Sequence, residues 1–240
     1  MKRLFISLIA LFCIGEVMAQ QTSLSSEQSV SNPIKQWTSS FTALDVDAPI
    51  KLTLTQISSD QAPYIIYDTK GNITSKFTAE VDKGQVLKIR ERQDLKRTSI
   101  TEVHVFYNTL EDIKISRANT VIEGEVSCDM LDIEISNSAK FVAQLNVKDV
   151  VVIISGDCGV ELTGEALYHH AEITSAQYNA VGLKTMSTII EAHHNAEARV
   201  YATQRLEAKS TTGGKIMYKP TPELLRTEKS LFGVDATPLK

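Results

Sequence analysis

Two histidine pairs offer the first chemistry in this chain: His169-His170 and His193-His194, with Glu172, Glu191 and Glu197 close by. Imidazole and carboxylate at short, face-matched spacing form the ligand set that zinc favours. Neighbouring residues of a strand point to opposite faces, so each pair can offer one ligand to a given site. The pairs also sit at different phases of the pattern set out below, with 169–170 ahead of a strand and 193–194 at a corner. Neither a His-Glu-x-x-His nor a Cys-x-x-Cys spacing is present. All four are therefore expected to be surface or corner histidines, and no metal or other cofactor is assigned to them.

Carboxylates come next. Cleaving an acidic polysaccharide would take clustered Asp or Glu for acid/base work, with Lys or Arg to hold the sugar acid. Asp132 and Glu134 stand one repeat from Lys114, and Asp157 and Glu161 one repeat further. Lys114 beside Glu134 reads as a solvated cross-strand ion pair. Ser155-Gly156 lacks the Gly-x-Ser-x-Gly of a nucleophile elbow, and no helix follows it. Such a serine satisfies local backbone groups instead. Cys158 has no histidine at a fixed spacing, and Gly213-Gly214 reads as a turn, because a phosphate loop needs a helix N-terminus behind it. No catalytic residue is assigned.

The elements that would position these groups are strands. From Trp37 onward, short runs rich in Val, Ile, Thr, Tyr and Phe alternate apolar and polar residues, as in "FTALDVDAPIKLTLTQ" and "TEVHVFY". Pro49 marks a bend, "DKG" at 82–84 a turn, and "RQDLKRTS" at 92–99 an exposed loop. Then one phrase returns: "IKISRANTVIEG", "IEISNSAKFVAQL", "VIISGDCGVEL", "AEITSAQYNAVGL", "IIEAHHNAEARVYA", "LEAKSTTGGKIMY". Anchored at Ser116, Ser136, Ser155, Ser175, His193 and Thr211, with the fourth and sixth anchors free to shift by one, the steps are 20, 19, 20, 18 and 18 residues.

A repeat of 18–20 residues is too short for a strand–helix–strand crossover, which takes about 30. It suits one rung of a β-solenoid. Ile113, Ile115, Leu131, Ile133, Ile135, Val152 and Ile154 are expected to fill the interior. Lys114, Asp132 and Glu134 are expected to face water. Small or turn-prone residues mark the corners: Ala118, Asn119, Ser138, Ala139, Gly156, Gly159, Gly213 and Gly214. Val151 and Ile153 should point outward, under a loop, under the first rungs or under a partner. The fold expected is an all-β parallel β-helix; the alternative is an antiparallel β-sandwich, which strand spacing near ten residues would also suit.

The N-terminus reads as a cleaved signal peptide over 1–19: Lys2 and Arg3, an apolar run from Leu4 to Ile14, and Val17-Met18-Ala19 as the cleavage site. That run falls short of the roughly 20 apolar residues needed to span a bilayer. Residues 20–36 read as a flexible lead-in, 37–220 as one β-helix domain and 221–240 as a C-terminal cap or tail. Within the domain, 37–108 are the less regular first rungs with a cap, and 109–220 the regular ones. The formal net charge of −4 becomes more negative without Lys2, Arg3 and Glu16. A mildly acidic chain offers no basic footprint for nucleic acid. Cys128 and Cys158 lie at different phases of the repeat and are expected to be small buried thiols rather than a disulfide.

These residues resemble a known family, the putative auto-transporter adhesins with a head GIN domain. The resemblance runs from about Phe41 to Pro220. It rests on "F..LDVDAPIKLTL", on "VHVFYNTLEDIKIS", on the Ser-Gly-small corners and on the closing "VYATQRLEAKSTTGGKIMYKP". Ser116-Arg117, Ser136-Asn137 and His193-His194 depart from its Ser-Gly corners. The resemblance implies a right-handed parallel β-helix and carries no binding residues over. The reading that results is an exported, non-enzymatic, adhesin-like interaction protein that binds a glycan or an envelope protein, in the periplasm, at the outer-membrane surface or outside the cell. The alternatives are a carbohydrate-active β-helix enzyme and a structural envelope component.

Overall fold

The computed structural model describes residues 31–71, 76–92, 99–230 and 232–239. The expected signal peptide, most of the lead-in and most of the 92–99 loop lie outside the described residues. Eight short strands come first: β1 (Ile34–Trp37), β2 (Ala43–Asp47), β3 (Lys51–Gln56), β4 (Tyr64–Asp68), β5 (Thr78–Val81), β6 (Val86–Arg90), β7 (Glu102–Tyr107) and β8 (Asp112–Ser116). Four long ones follow: β9 (Asn119–Ser136), β10 (Lys140–Ser155), β11 (Gly159–Thr174) and β12 (Gln177–His193). The series ends with β13 (Glu197–Tyr201), β14 (Arg205–Ser210), β15 (Lys215–Lys219), β16 (Leu224–Lys229) and β17 (Thr237–Pro238). No helix is present among them.

The long strands wrap around an axis. The start of β12 pairs with β13 and its end with β14, so one strand serves two walls of the coil. Each long strand pairs in parallel with the next over nearly its whole length. Alternation breaks where two consecutive residues face outward, as at Asp129-Met130 and Leu167-Tyr168, and that break is a corner. Three walls result. The first holds β7, β3, the starts of the long strands, β13, β15 and β17. The second holds the middles of the long strands. The third holds β6, β2, β8, the ends of the long strands, β14 and β16. The protein is an all-β solenoid, and successive rungs stack about 4.8 Å apart.

Apolar side chains line up inside as the repeat requires. Leu44, Ile113, Ile133, Val152, Ala171, Ile190 and Ala208 form one column in register, and all are buried. Val46, Ile115, Ile135, Ile154, Ile173 and Ala192 form the next. No rung can bury these residues alone; stacking buries them at roughly 25 cal/mol per Å² of apolar surface.

The sharp corner explains the recurring phrase. Ser116, Ser136, Ser155, Thr174 and His193 are register partners, so the fourth anchor is Thr174 rather than Ser175. The residue after each takes a left-handed backbone: Arg117, Asn137, Gly156, Ser175 and His194 all have positive φ. The substitutions for glycine noted in the sequence thus accept the same backbone at a steric cost. Next comes a buried column of small side chains, Ala118, Ala139, Cys158, Ala176 and Ala196. The carbonyls of these residues accept the N–H groups of Lys140, Gly159, Gln177, Glu197 and Lys215 on the following rung.

The N-terminal end holds a rearrangement. β2 pairs with both β6 and β8, and β3 with both β7 and β9. The chain therefore lays down its second rung first. It then builds β4 to β7 on the outer side and crosses back to continue as β8. β4 runs antiparallel to β7 and β1 antiparallel to β4, which covers that end of the first wall. Asp68 ties the lead-in down by accepting a 2.7 Å hydrogen bond from Ser31 Oγ. Burial alone would raise the Asp68 pKa, but the bonds from Ser31 and Lys70 hold it at about 2.

Candidate binding surface

The outer side of the first wall carries a row of rings. Trp37, Tyr64 and Phe106 are register partners on β1, β4 and β7. The Trp37 and Tyr64 rings meet edge-on at 5.2 Å, Tyr64 and Phe106 stack at 4.3 Å, and His104 stacks on Phe106 at 4.0 Å. Lys35 holds its ammonium 3.7 Å from the Tyr64 ring centre and 4.1 Å from that of Trp37. Aromatic pairs of this kind contribute about 0.5–1.5 kcal/mol each, and an exposed cation–π contact about 0.5–1. The terrace is thus held together by its own ring contacts. Trp37 is still 62% exposed.

Apolar surface continues from the terrace along the neighbouring column. Ile66, His104, Thr53, Val121 and Val142 are successive register partners; Val121 is 47% and Val142 42% exposed. His104 is held by Thr55, whose Oγ1 lies 2.7 Å from Nε2 and donates to Glu123 at 3.0 Å. Burial lowers the His104 pKa, and the Glu123 charge opposes that only in part, so the ring is neutral at pH 7.

The four histidines part company. His169 points into the coil, contrary to the expectation of a surface or corner position. It is 3% exposed, with Nε2 2.7 Å from the Tyr178 hydroxyl and Nδ1 3.5 Å from Thr188 Oγ1. Burial, with help from the charge of His170, lowers its pKa to about 3. The reason is the corner at Leu167-Tyr168, which uses two outward positions and resets the alternation. His170 faces out on the third wall. His193 sits at the sharp corner, with Nδ1 2.7 Å from Thr211 Oγ1 and Nε2 3.4 Å from Glu191. His194 is exposed beside it. Among the described residues, no group of three or more His, Cys, Asp or Glu is placed to hold a metal.

The carboxylates are likewise dispersed. Lys114 and Glu134 pair at 3.4 Å, both half exposed. Glu191 is engaged by Lys209 at 2.9 Å, which lowers its pKa, and Glu197 by Arg199 at 2.7 Å. Glu161 lies on the first wall, away from Asp132 and Glu134 on the third. Gly156 and Gly213 occupy left-handed corner positions, with φ of 81° and 80°. Both described cysteines are free thiols. Cys158 is buried as expected, but Cys128 is only half buried, because it stands where the second wall turns. Ile153 is 46% exposed, so no described segment covers it.

Sequence reading missed the terrace. Its members come from three short strands in the irregular part of the chain, and both pairings among them are antiparallel. Trp37, the single tryptophan, was the one available signal.

The fold is an all-β solenoid that carries an aromatic row on its outer side. The chain belongs to the family described as putative auto-transporter adhesin, head GIN domain, whose model matches residues 40–222. Similar solved structures include a "putative adhesin" from Bacteroides fragilis, 19% identical over 87% of this chain and 96% of that one, with a TM-score of 0.77. A "putative lipid binding protein" from Parabacteroides distasonis is 16% identical over 88% and 97%, with a TM-score of 0.70. A "putative adhesin" from Parabacteroides merdae is 18% identical over 88% and 96%, with a TM-score of 0.68. At these identities the likeness concerns the fold. No curated protein matches the chain.

Proposed function

We propose that the protein is an exported, non-enzymatic, adhesin-like binding protein, and that its partner, a glycan or an envelope protein, lands on the aromatic terrace. The observation that carries this reading is the row Trp37–Tyr64–Phe106, held by ring stacking yet open to solvent at Trp37. Tryptophan and tyrosine dominate contact energies because they bury much area at little conformational cost. Membership of an adhesin-named family supports the same role. The signal-like N-terminus supports export, to the periplasm, the outer-membrane surface or beyond.

The test is an array of glycans and envelope proteins probed with residues 20–240. The wild-type chain is compared with a variant carrying Trp37→Ala, Tyr64→Ala and Phe106→Ser. Binding by the wild type, reduced at least tenfold in the variant, supports the proposal. Binding that the variant retains in full, or conversion of a bound glycan to product, rejects it.

A further inference from the structure

The last rung of the coil ends on a strand with one bare edge. β16 repeats the third-wall pattern: Leu225 and Thr227 are register partners of the buried Leu206 and Ala208, and Arg226 and Glu228 of the outward Glu207 and Lys209. The chain then makes the same sharp corner once more, with Phe232 in the left-handed region and its carbonyl accepting the N–H of Gly213. Among the described residues no further rung follows, and β16 pairs with β14 alone. All of β16 is exposed, the inward-directed Leu225 and Thr227 included. Leu224, Val234 and Phe232, the last 79% exposed, add apolar surface at the same end.

The bonds already made fix which main-chain groups are bare. Leu224 donates its N–H to the Gln204 carbonyl, and Ser230 donates to that of Ser210. Backbone groups alternate sides along a strand, so Leu224, Arg226 and Glu228 turn theirs toward β14. The N–H and C=O groups of Leu225, Thr227 and Lys229 point off the end of the coil. Such an edge recruits another strand.

Charge selects that strand. A second β16 related by a two-fold axis runs antiparallel, and its outward residues meet outward residues. Centring the pair on Arg226 or on Glu228 sets like charges face to face. Centring it on Leu225 places Arg226 opposite Leu224. Centring it on Thr227 engages all three bare residues and places Arg226 opposite Glu228 of the second copy, twice over. Glu228 is available: its register partner Lys209 turns to Glu191 at 2.9 Å, and Glu228 makes no ion pair among the described residues. Lys229, which would face Leu225, has its ammonium 2.7 Å from Asp235, which leaves its stem to cover the leucine.

We infer that two copies of the chain join end to end through β16, antiparallel and centred on Thr227. The terrace lies on the strands that cover the other end of the coil, so this contact does not depend on the proposed binding role. The doubled coil carries one terrace near each far end.

The experiment is sedimentation velocity on residues 20–240 over a hundredfold dilution series. The wild-type chain should form a dimer that dissociates on dilution. Arg226→Glu or Glu228→Arg alone sets like charges opposite each other in both pairs, and each should weaken dimerisation at least tenfold while cooperative melting is retained. Both substitutions in one chain should restore the wild-type dimer. An equimolar mixture of the two single variants should form a dimer that neither forms alone, because their charges match across the contact. A chain that stays monomeric throughout, a dimer that both reversals leave intact, or a loss that neither the combined variant nor the mixture rescues overturns the inference and leaves the terrace reading in place.

Discussion

The Tyr178 hydroxyl meets His169 Nε2 at 2.7 Å across the interior of the coil. Tyr178 comes from the first wall and His169 from the third. His169 occupies a column otherwise made of Leu131, Val150, Thr188 and Leu206. Ala198, the register partner of Tyr178, and Ala171, two residues beyond His169 on its own strand, are both small and buried. The Thr188 and Thr185 hydroxyls lie 2.7 Å apart and both reach the Tyr201 carbonyl, so one donates to that carbonyl while the other donates to its neighbour. The pair is thus the centre of a buried polar network inside an apolar coil, and networks of this kind hold only when every member is satisfied.

Acid should loosen the coil through that pair. The His169 pKa falls from 6.5 to about 3 on folding, so below pH 6.5 the unfolded chain binds a proton that the folded chain refuses. Stability is then full above pH 6.5 and declines as pH drops toward 3, by up to about 1.4 kcal/mol per pH unit. Urea midpoints at pH 7.5, 5.5 and 4.5 should show this decline. His169→Leu combined with Tyr178→Phe should flatten it over the same interval. An unchanged pH dependence in the double variant would remove His169 as its cause.

Glycine is required at one corner and optional at another. A Cβ on Gly164 would lie 2.0 Å from the Leu145 carbonyl oxygen, on a backbone with φ of 105°. Gly164→Ala should therefore cost more than about 3 kcal/mol. Nothing lies within 4 Å of a Cβ on Gly159, and Gly159→Ala should change stability by less than about 1 kcal/mol. Equal costs in urea denaturation would contradict the stacked register of β10 and β11.

Cys158 belongs to the alanine column of the sharp corner. Cys158→Ala should be nearly neutral, whereas Cys158→Leu should cost about 1–3 kcal/mol by overpacking. Burial raises the pKa of both described thiols, but Cys128 is half exposed and Cys158 is not. A thiol reagent at pH 7.5 should therefore modify Cys128 slowly and Cys158 only after unfolding. Fast modification of Cys158 in the native protein would refute its place in the column.

The regular rungs were legible because two separate demands repeat together. Inward positions must be apolar, as at Ile115, Ile135 and Ile154, and each sharp corner needs a left-handed residue after Ser, Thr or His. Lys114 beside Glu134 followed from the same period. Three things were hidden. The inward turn of His169 depends on where a corner consumes two outward residues, which single-strand alternation does not reveal. The insertion of β6 and β7 ahead of β2 and β3 depends on which rung stacks on which, and every rung presents the same parallel pairing groups. The terrace depends on that insertion and on the antiparallel return of β1 and β4, so Trp37, Tyr64 and Phe106 have no sequence relation that would place them together.

The central claim, that the chain binds without turnover through an exposed aromatic row, is tested most directly by the emission of Trp37, which has no other tryptophan to obscure it. Titration of residues 20–240 with a ligand found on the array should shift or quench that emission saturably while the ligand is recovered unchanged. A ligand that is degraded, or that binds while leaving Trp37 emission unaltered, would contradict the account.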